Sequence, residues 1–225
     1  MSNIAPQIIM VVDDHDTVLS GTIQSLKDHY PDTTLVTAQT IESARCRLDS
    51  QLPSVLLFDL SVPEYLGGEA KIEHGLQFLR EVMKQWPDLN ITVQSSYLKA
   101  LVRLVHEIDQ HNGGFTVADK NLPVQEMLNR VNWAFQGVNH TRDVEGMRSC
   151  GEMRPEWYEL LKLAFDEGLQ DKIIAQRMSV SERTVRIYWT KIYDVLGIYP
   201  DENRQNGQNT RIRTEQRARE LGLID

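Results

Sequence analysis

No apolar run in the chain approaches the roughly 18 consecutive residues of a membrane helix. Its first residues also lack the basic stretch and long apolar stretch of an export signal. A protein that works in the cytoplasm without a membrane is expected. Cysteine is scarce: Cys46 and Cys150 lie far apart and fit no zinc or redox spacing, so neither a disulfide framework nor a metal cage follows. Excess positive charge is missing as well. The formal net charge of −8 excludes a protein that coats nucleic acid by bulk charge alone. The deficit is uneven, with 12 Lys+Arg against 19 Asp+Glu up to Ser149 and 12 against 13 after it, so only the second half can present a basic face. Hydrophobic residues at 41% and charged residues at 25% suit a protein able to bury a core.

The chain's 225 residues allow one or two domains. The first half alternates short apolar runs with amphipathic segments, the pattern of βα units around a parallel sheet. Strands are predicted at 8–12, 34–37, 54–58, 91–94 and 115–118, and helices at 18–29, 41–50, 76–85, 98–111 and 124–135. Five such units make an α/β doubly wound domain with a five-stranded parallel sheet, placed at 1–136. Three glycines and no clear periodicity mark 137–152 as a linker. From 153 to 225 the pattern changes to a small all-α domain, with helices at 155–167, 170–178, 182–196 and 214–221 and a polar stretch at 200–211. There is no internal repeat.

Three strand ends carry charge: Asp13-Asp14 after the first, Asp59 after the third and Lys120 close behind the fifth. Ligands of an open parallel sheet bind outside the carboxyl ends of its strands, so these groups should converge. Crowded carboxylates repel unless a cation compensates, and Mg²⁺, a hard ion that binds through one or two carboxylates and keeps several waters, is the natural one. Asp59 is then a nucleophile toward a phosphorylated donor, with Lys120 holding the transferred group and Ser95 or Ser96 offering a hydroxyl. Each residue alone could be an ordinary polar strand end; their convergence argues for a site. A phosphatase of the haloacid-dehalogenase type needs a second Asp two residues after its nucleophile. Here that position is Ser61, so a phosphoryl group would be accepted but hydrolysed slowly, which suits a switch better than an enzyme.

The second half contains Gly168 to Ala175, then Ser179-Val180-Ser181 and Glu182 to Val185, in the order helix, turn, helix. Ser181 is a good N-cap, and at 100° per residue Val185, Trp189, Ile192 and Leu196 share one face. Arg183, Ile187, Thr190 and Asp194 centre the opposite face, flanked by Arg186 and Lys191. Such a face is either the solvated side of an amphipathic helix or a surface for the major groove; the capped helix and short turn favour DNA.

Residues from about 8 to 135, with Val12-Asp13-Asp14, Asp59, Pro63, Ser95 and Lys120, resemble the flavodoxin-like receiver domain of two-component response regulators. Those from Met153 onward, including Pro155, Gly168, Ile174, Ala175, Ser181, Thr184, Val185, Leu196 and Gly197, resemble the LuxR-type helix-turn-helix domain of NarL/FixJ-type regulators. The resemblance implies Asp59 as phospho-acceptor from a sensor histidine kinase. It also implies Mg²⁺ held by Asp13, Asp14, Asp59 and the Ser61 carbonyl, and Ser95 and Lys120 as readers of the phosphoryl group. Arg186, Ile187 and Thr190 become contacts to double-stranded DNA, made by a homodimer. Val117 stands where receivers commonly carry Tyr or Phe, which removes the expected aromatic relay. The connections 63–75 and 97–114 are longer than usual. Two other functions remain open: a phosphorylation-independent DNA binder whose receiver dimerises, and a protein-binding adaptor.

Overall fold

A computed structural model describes residues 7–141, 153–198 and 209–224. Most of the predicted linker, Cys150 and most of the 200–211 stretch lie outside the described residues. The chain divides into two compact units, Met1–Leu98 with His106–Val144, and Lys99–Val105 with Glu145–Asp225.

In the first unit five parallel strands run in the order β2 (Thr34–Ala38), β1 (Ile8–Val12), β3 (Val55–Phe58), β6 (Asn90–Ser95) and β7 (Phe115–Asp119). β1 and β3 read as unbroken apolar runs because helices cover both faces of the sheet. Alternation sends Ile9, Val11, Val55 and Leu57 to one side, where Leu26 of α1 (Asp16–His29) and Met127, Leu128 and Val131 of α5 (Val124–Phe135) close the core. On the other side Phe58 meets Phe78 of α3 (Ile72–Gln85), with ring centroids 5.3 Å apart. α2 (Ile41–Ser50) starts at a capping box in which Thr40 and Ser43 satisfy each other's backbone amides.

Two polar residues sit inside the sheet and satisfy each other. Thr92 and Thr116 lie opposite on β6 and β7 with hydroxyls 3.0 Å apart, and Thr116 also donates to the Arg130 carbonyl. Beyond β7, His140 donates its amide to the Phe115 carbonyl and accepts from Val117, so the start of the predicted linker runs paired along the sheet.

Two elements differ from the sequence reading. The long connection after Asp59 folds into a small antiparallel hairpin, β4 (Val62–Pro63) with β5 (Ala70–Lys71), closed by a turn in which Gly67 has φ +79° and Gly68 donates to the Tyr65 carbonyl. The helix predicted over 98–111 is a 3-10 helix, Leu98–Leu104, followed by a short α4, Val105–Asp109. Lys99–Val105 packs within the second unit, where the Val102 carbonyl accepts from the Tyr158 hydroxyl at 2.6 Å and Arg103 donates to the Gly222 carbonyl. Such partners, remote in sequence, leave no trace in helical periodicity.

His111, buried behind Leu89, has Nε2 2.7 Å from the Leu89 carbonyl oxygen. Burial pushes its pKa down, against smaller upward effects of that carbonyl and of Asp88. The unfolded chain takes up a proton near pH 6.5 that the folded imidazole resists, so the stability tied to His111 is complete above that pH and is lost as pH falls toward the folded value. Urea titrations at pH 7.5 and 5.5 should show this loss, and His111→Gln should flatten it.

The second unit packs α6 (Pro155–Phe165), α7 (Asp171–Arg177), α8 (Glu182–Leu196) and α9 (Thr210–Glu220) around Leu160, Leu161, Ile174, Val185, Ile192 and Ala218, all buried. The last helix thus begins four residues earlier than its pattern predicts.

Candidate functional site

The parallel register builds the acidic site directly. Val12 pairs with Phe58, so Asp13 and Asp59 leave adjacent strands side by side; both are almost wholly buried. On the far side Ser95 pairs with Asp119, which puts Lys120 one residue past the end of β7. Lys120 Nζ lies 2.6 Å from Asp13 Oδ2 and 2.7 Å from Asp59 Oδ2. Burial lowers the pKa of this ammonium, but hydrogen bonds and charge from Asp13 and Asp59 outweigh it and raise the pKa above its ordinary value.

Asp13, Asp14 and Asp59, with His15, each offer a ligand atom within 4.8 Å of the others. His15 is the member that sequence reasoning missed; its Nδ1 stands 2.7 Å from Asp14 Oδ1, and its position directly after Asp14 was the available signal. The loops are held by short-range hydrogen bonds. His15 donates its amide to Asp13 Oδ1, Ser61 donates its amide to Asp59 Oδ1, and Tyr97 donates its amide to Ser95 Oγ. The structure therefore joins Asp13, Asp59 and Lys120 in direct contact and brings a ligand atom of Asp14 within 4.8 Å of those of Asp13 and Asp59. Ser95 is fully buried at the end of the neighbouring strand and Ser61 is engaged through its N–H. Three hard oxygen donors carrying formal charge −3 against a single ammonium leave room for a divalent cation.

In the second unit Ala175 of α7 is buried where that helix meets α8, and the turn between them passes through Ser179 at φ +55°. Ser181 caps α8, its Oγ accepting from the Thr184 amide, and Gly197 ends it in the left-handed region at φ +64°. Val185, Trp189, Ile192 and Leu196 are buried, while Arg183, Arg186, Ile187, Thr190 and Lys191 all lie on the exposed side. Ile187 is half exposed on that side. Lys191 pairs only loosely with Asp194, at 3.8 Å.

No family model matches the chain. Over 202 residues it is 24% identical to the DNA-binding transcriptional activator DevR/DosR of Mycobacterium tuberculosis, covering 84% of this chain and 88% of that one. Over 195 residues it is 25% identical to the nitrate/nitrite response regulator protein NarL of Escherichia coli, with the same coverage. A solved complex of the two-component response regulator RcsB with DNA superposes with a TM-score of 0.57 at 19% identity, covering 96% of this chain and 98% of that one. Over most of its length the chain is similar to these NarL-type response regulators. The likeness runs through both halves of that architecture, and the chain has the same two parts in its fold, a five-stranded parallel α/β unit and a helix-turn-helix unit. Among its described residues no helix is long and apolar enough to cross a membrane.

Proposed function

We propose that the chain is a response regulator of the NarL/FixJ type, a cytoplasmic transcription factor controlled by phosphoryl transfer to Asp59 from a sensor histidine kinase, and that it reads double-stranded DNA as a homodimer. In this reading 1–136 is the receiver, 137–152 the linker and 153–225 the output domain. The observation that carries it is the meeting of Asp13, Asp59 and Lys120 beyond the carboxyl ends of β1, β3 and β7, with the Lys120 ammonium within 2.7 Å of both carboxylates, in a chain that also holds a capped helix with a basic exposed face.

An Asp59 carboxylate oxygen forms the new bond to phosphorus as the phosphorus–nitrogen bond of the phosphohistidine breaks, and the imidazole leaves. Lys120 exchanges a carboxylate for a phosphoryl oxygen, and the Ser95 hydroxyl donates to another. Asp13, Asp14, Asp59 and the Ser61 carbonyl would hold Mg²⁺, which supplies charge neutralisation where the phosphoryl group arrives. The modification adds about −1.5 to −2 charges at this point. Arg186, Ile187 and Thr190 enter the major groove, with Arg183 and Lys191 on bases or phosphates.

Val117, fully buried in β7, favours a second reading in which DNA binding is independent of phosphorylation, because no aromatic side chain stands there to move inward. Binding to a duplex selected by the full chain from a random pool, measured at fixed salt with and without beryllofluoride and Mg²⁺, separates the two. Tighter binding with the phosphoryl analogue is expected, and equal affinity selects the second reading. Arg186→Ala should weaken the selected duplex about tenfold or more. An unchanged affinity would remove α8 from the DNA interface and leave the adaptor reading.

A further inference from the structure

Three residues on three different helices of the second unit close a triangle. Asp171 begins α7, Trp189 lies on the inner side of α8, and Arg211 occupies the first turn of α9. Asp171 Oδ1 accepts from Trp189 Nε1 at 3.1 Å, and both Asp171 oxygens lie 2.9 Å from Arg211 Nη2. The third side is the Arg211 guanidinium over the Trp189 ring, 3.4 Å from its centroid. Phe165 and Tyr193 pack against the same indole at 5.7 and 6.0 Å, and Asn209 Oδ1 accepts from the Arg211 amide, which fixes the start of α9.

Stability does not explain this arrangement. The Asp171 and Arg211 side chains are 35% and 38% exposed, and an ion pair so open to water contributes little. Direction does explain it. Burial of Val185, Ile192 and Leu196 sets the rotation of α8 about its axis only loosely, because dispersion contacts are not directional. An indole N–H bond and a flat guanidinium stack are directional and tie α8 to both of its neighbours. A helix is about 10–12 Å across with its side chains, so a turn of about 10° carries a side-chain tip through roughly 1 Å. Recognition geometry tolerates only about half of that. Arg186 and Thr190 stand three residues before and one after Trp189 on the same helix, so the angle at Trp189 sets theirs.

We propose that Arg211 is a positioning residue for sequence recognition, acting through Trp189 on the angle at which α8 presents Arg186, Ile187 and Thr190. This rests on the reading of α8 as the DNA-reading helix. Arg211 itself touches no base; it makes the regulator selective rather than adhesive. Lysine at 211 would keep the charge but cannot stack on the ring while meeting the carboxylate.

The test compares the full chain with Arg211→Lys on two duplexes, one selected by the unaltered chain from a random pool and one of unrelated sequence, each across a salt series. The expected result is an affinity about tenfold lower on the selected duplex, with the unrelated duplex changed less than about twofold and the salt slope preserved. Trp189→Phe, which keeps an aromatic ring but loses the N–H, should show part of the same selective loss and carries the test if Arg211→Lys fails to fold. Equal losses on both duplexes with a salt slope shallower by about one would make Arg211 a phosphate contact and overturn the proposal, as would an unchanged ratio between the two duplexes. Failure of the unaltered chain to select any duplex would instead sink the DNA-reading assignment, and this one with it.

Discussion

Asp59→Asn should reduce labelling of the full chain by acetyl phosphate and Mg²⁺ to background. The amide nitrogen and oxygen of asparagine cannot replace a carboxylate as nucleophile toward phosphorus, so the loss is complete rather than graded. The side chain keeps its size, and an amide oxygen can still accept the Ser61 N–H that now meets Asp59 Oδ1 at 3.2 Å. Asp13→Asn is the informative companion. It removes one of the two carboxylates that bracket Lys120 but leaves Asp59 in place, so labelling should be slowed and should need more Mg²⁺. Mass spectrometry of the intact chain, with about 80 mass units per phosphoryl group, reads both variants directly. Persistent full labelling of Asp59→Asn would move the acceptor role to another of the clustered carboxylates.

Much of this site was legible in the sequence because strand ends are local features. An apolar run that stops at Asp13, Asp59 or shortly before Lys120 places a charge at the carboxyl edge of a parallel sheet, and the register does the rest. Capping is equally local: Ser181 was readable as the start of α8 because a side-chain oxygen three residues before Thr184 has one obvious use. What escaped prediction depends on contacts between distant residues. The hairpin at Val62–Pro63 and Ala70–Lys71 has strands too short to carry a period, so it reads as loop. The 3-10 helix over Leu98–Leu104 is partnered by Tyr158 and Gly222, far along the chain. Asp171 and Arg211 are separated by 40 residues and look like ordinary surface charges until the helices bring them onto Trp189.

Two glycines inside helices make the same point with opposite signs, and Gly75→Ala should be among the most damaging small substitutions in the molecule. Gly75 is buried in the first turn of α3, where an added Cβ would stand 2.0 Å from the Leu60 carbonyl oxygen and under 3 Å from two further Leu60 backbone atoms. Nothing there is the free end of a flexible side chain, so either α3 or the Leu60 backbone must shift. Alanine would recover about 1 kcal/mol of helix propensity. Overpacking against backbone costs about 3 kcal/mol or more, so the clash wins and the first unit should lose at least about 2 kcal/mol of stability to urea. Because Leu60 directly follows Asp59, the same shift moves this proposed acceptor, and labelling by acetyl phosphate should slow even where the variant is fully folded. Gly21→Ala in α1 is the control, since a Cβ there meets nothing within 4 Å and the position is exposed. It should raise stability by about 0.5–1 kcal/mol and leave labelling unchanged. If both substitutions were tolerated alike, the close approach of α3 to Leu60 would not be what sets the position of Asp59.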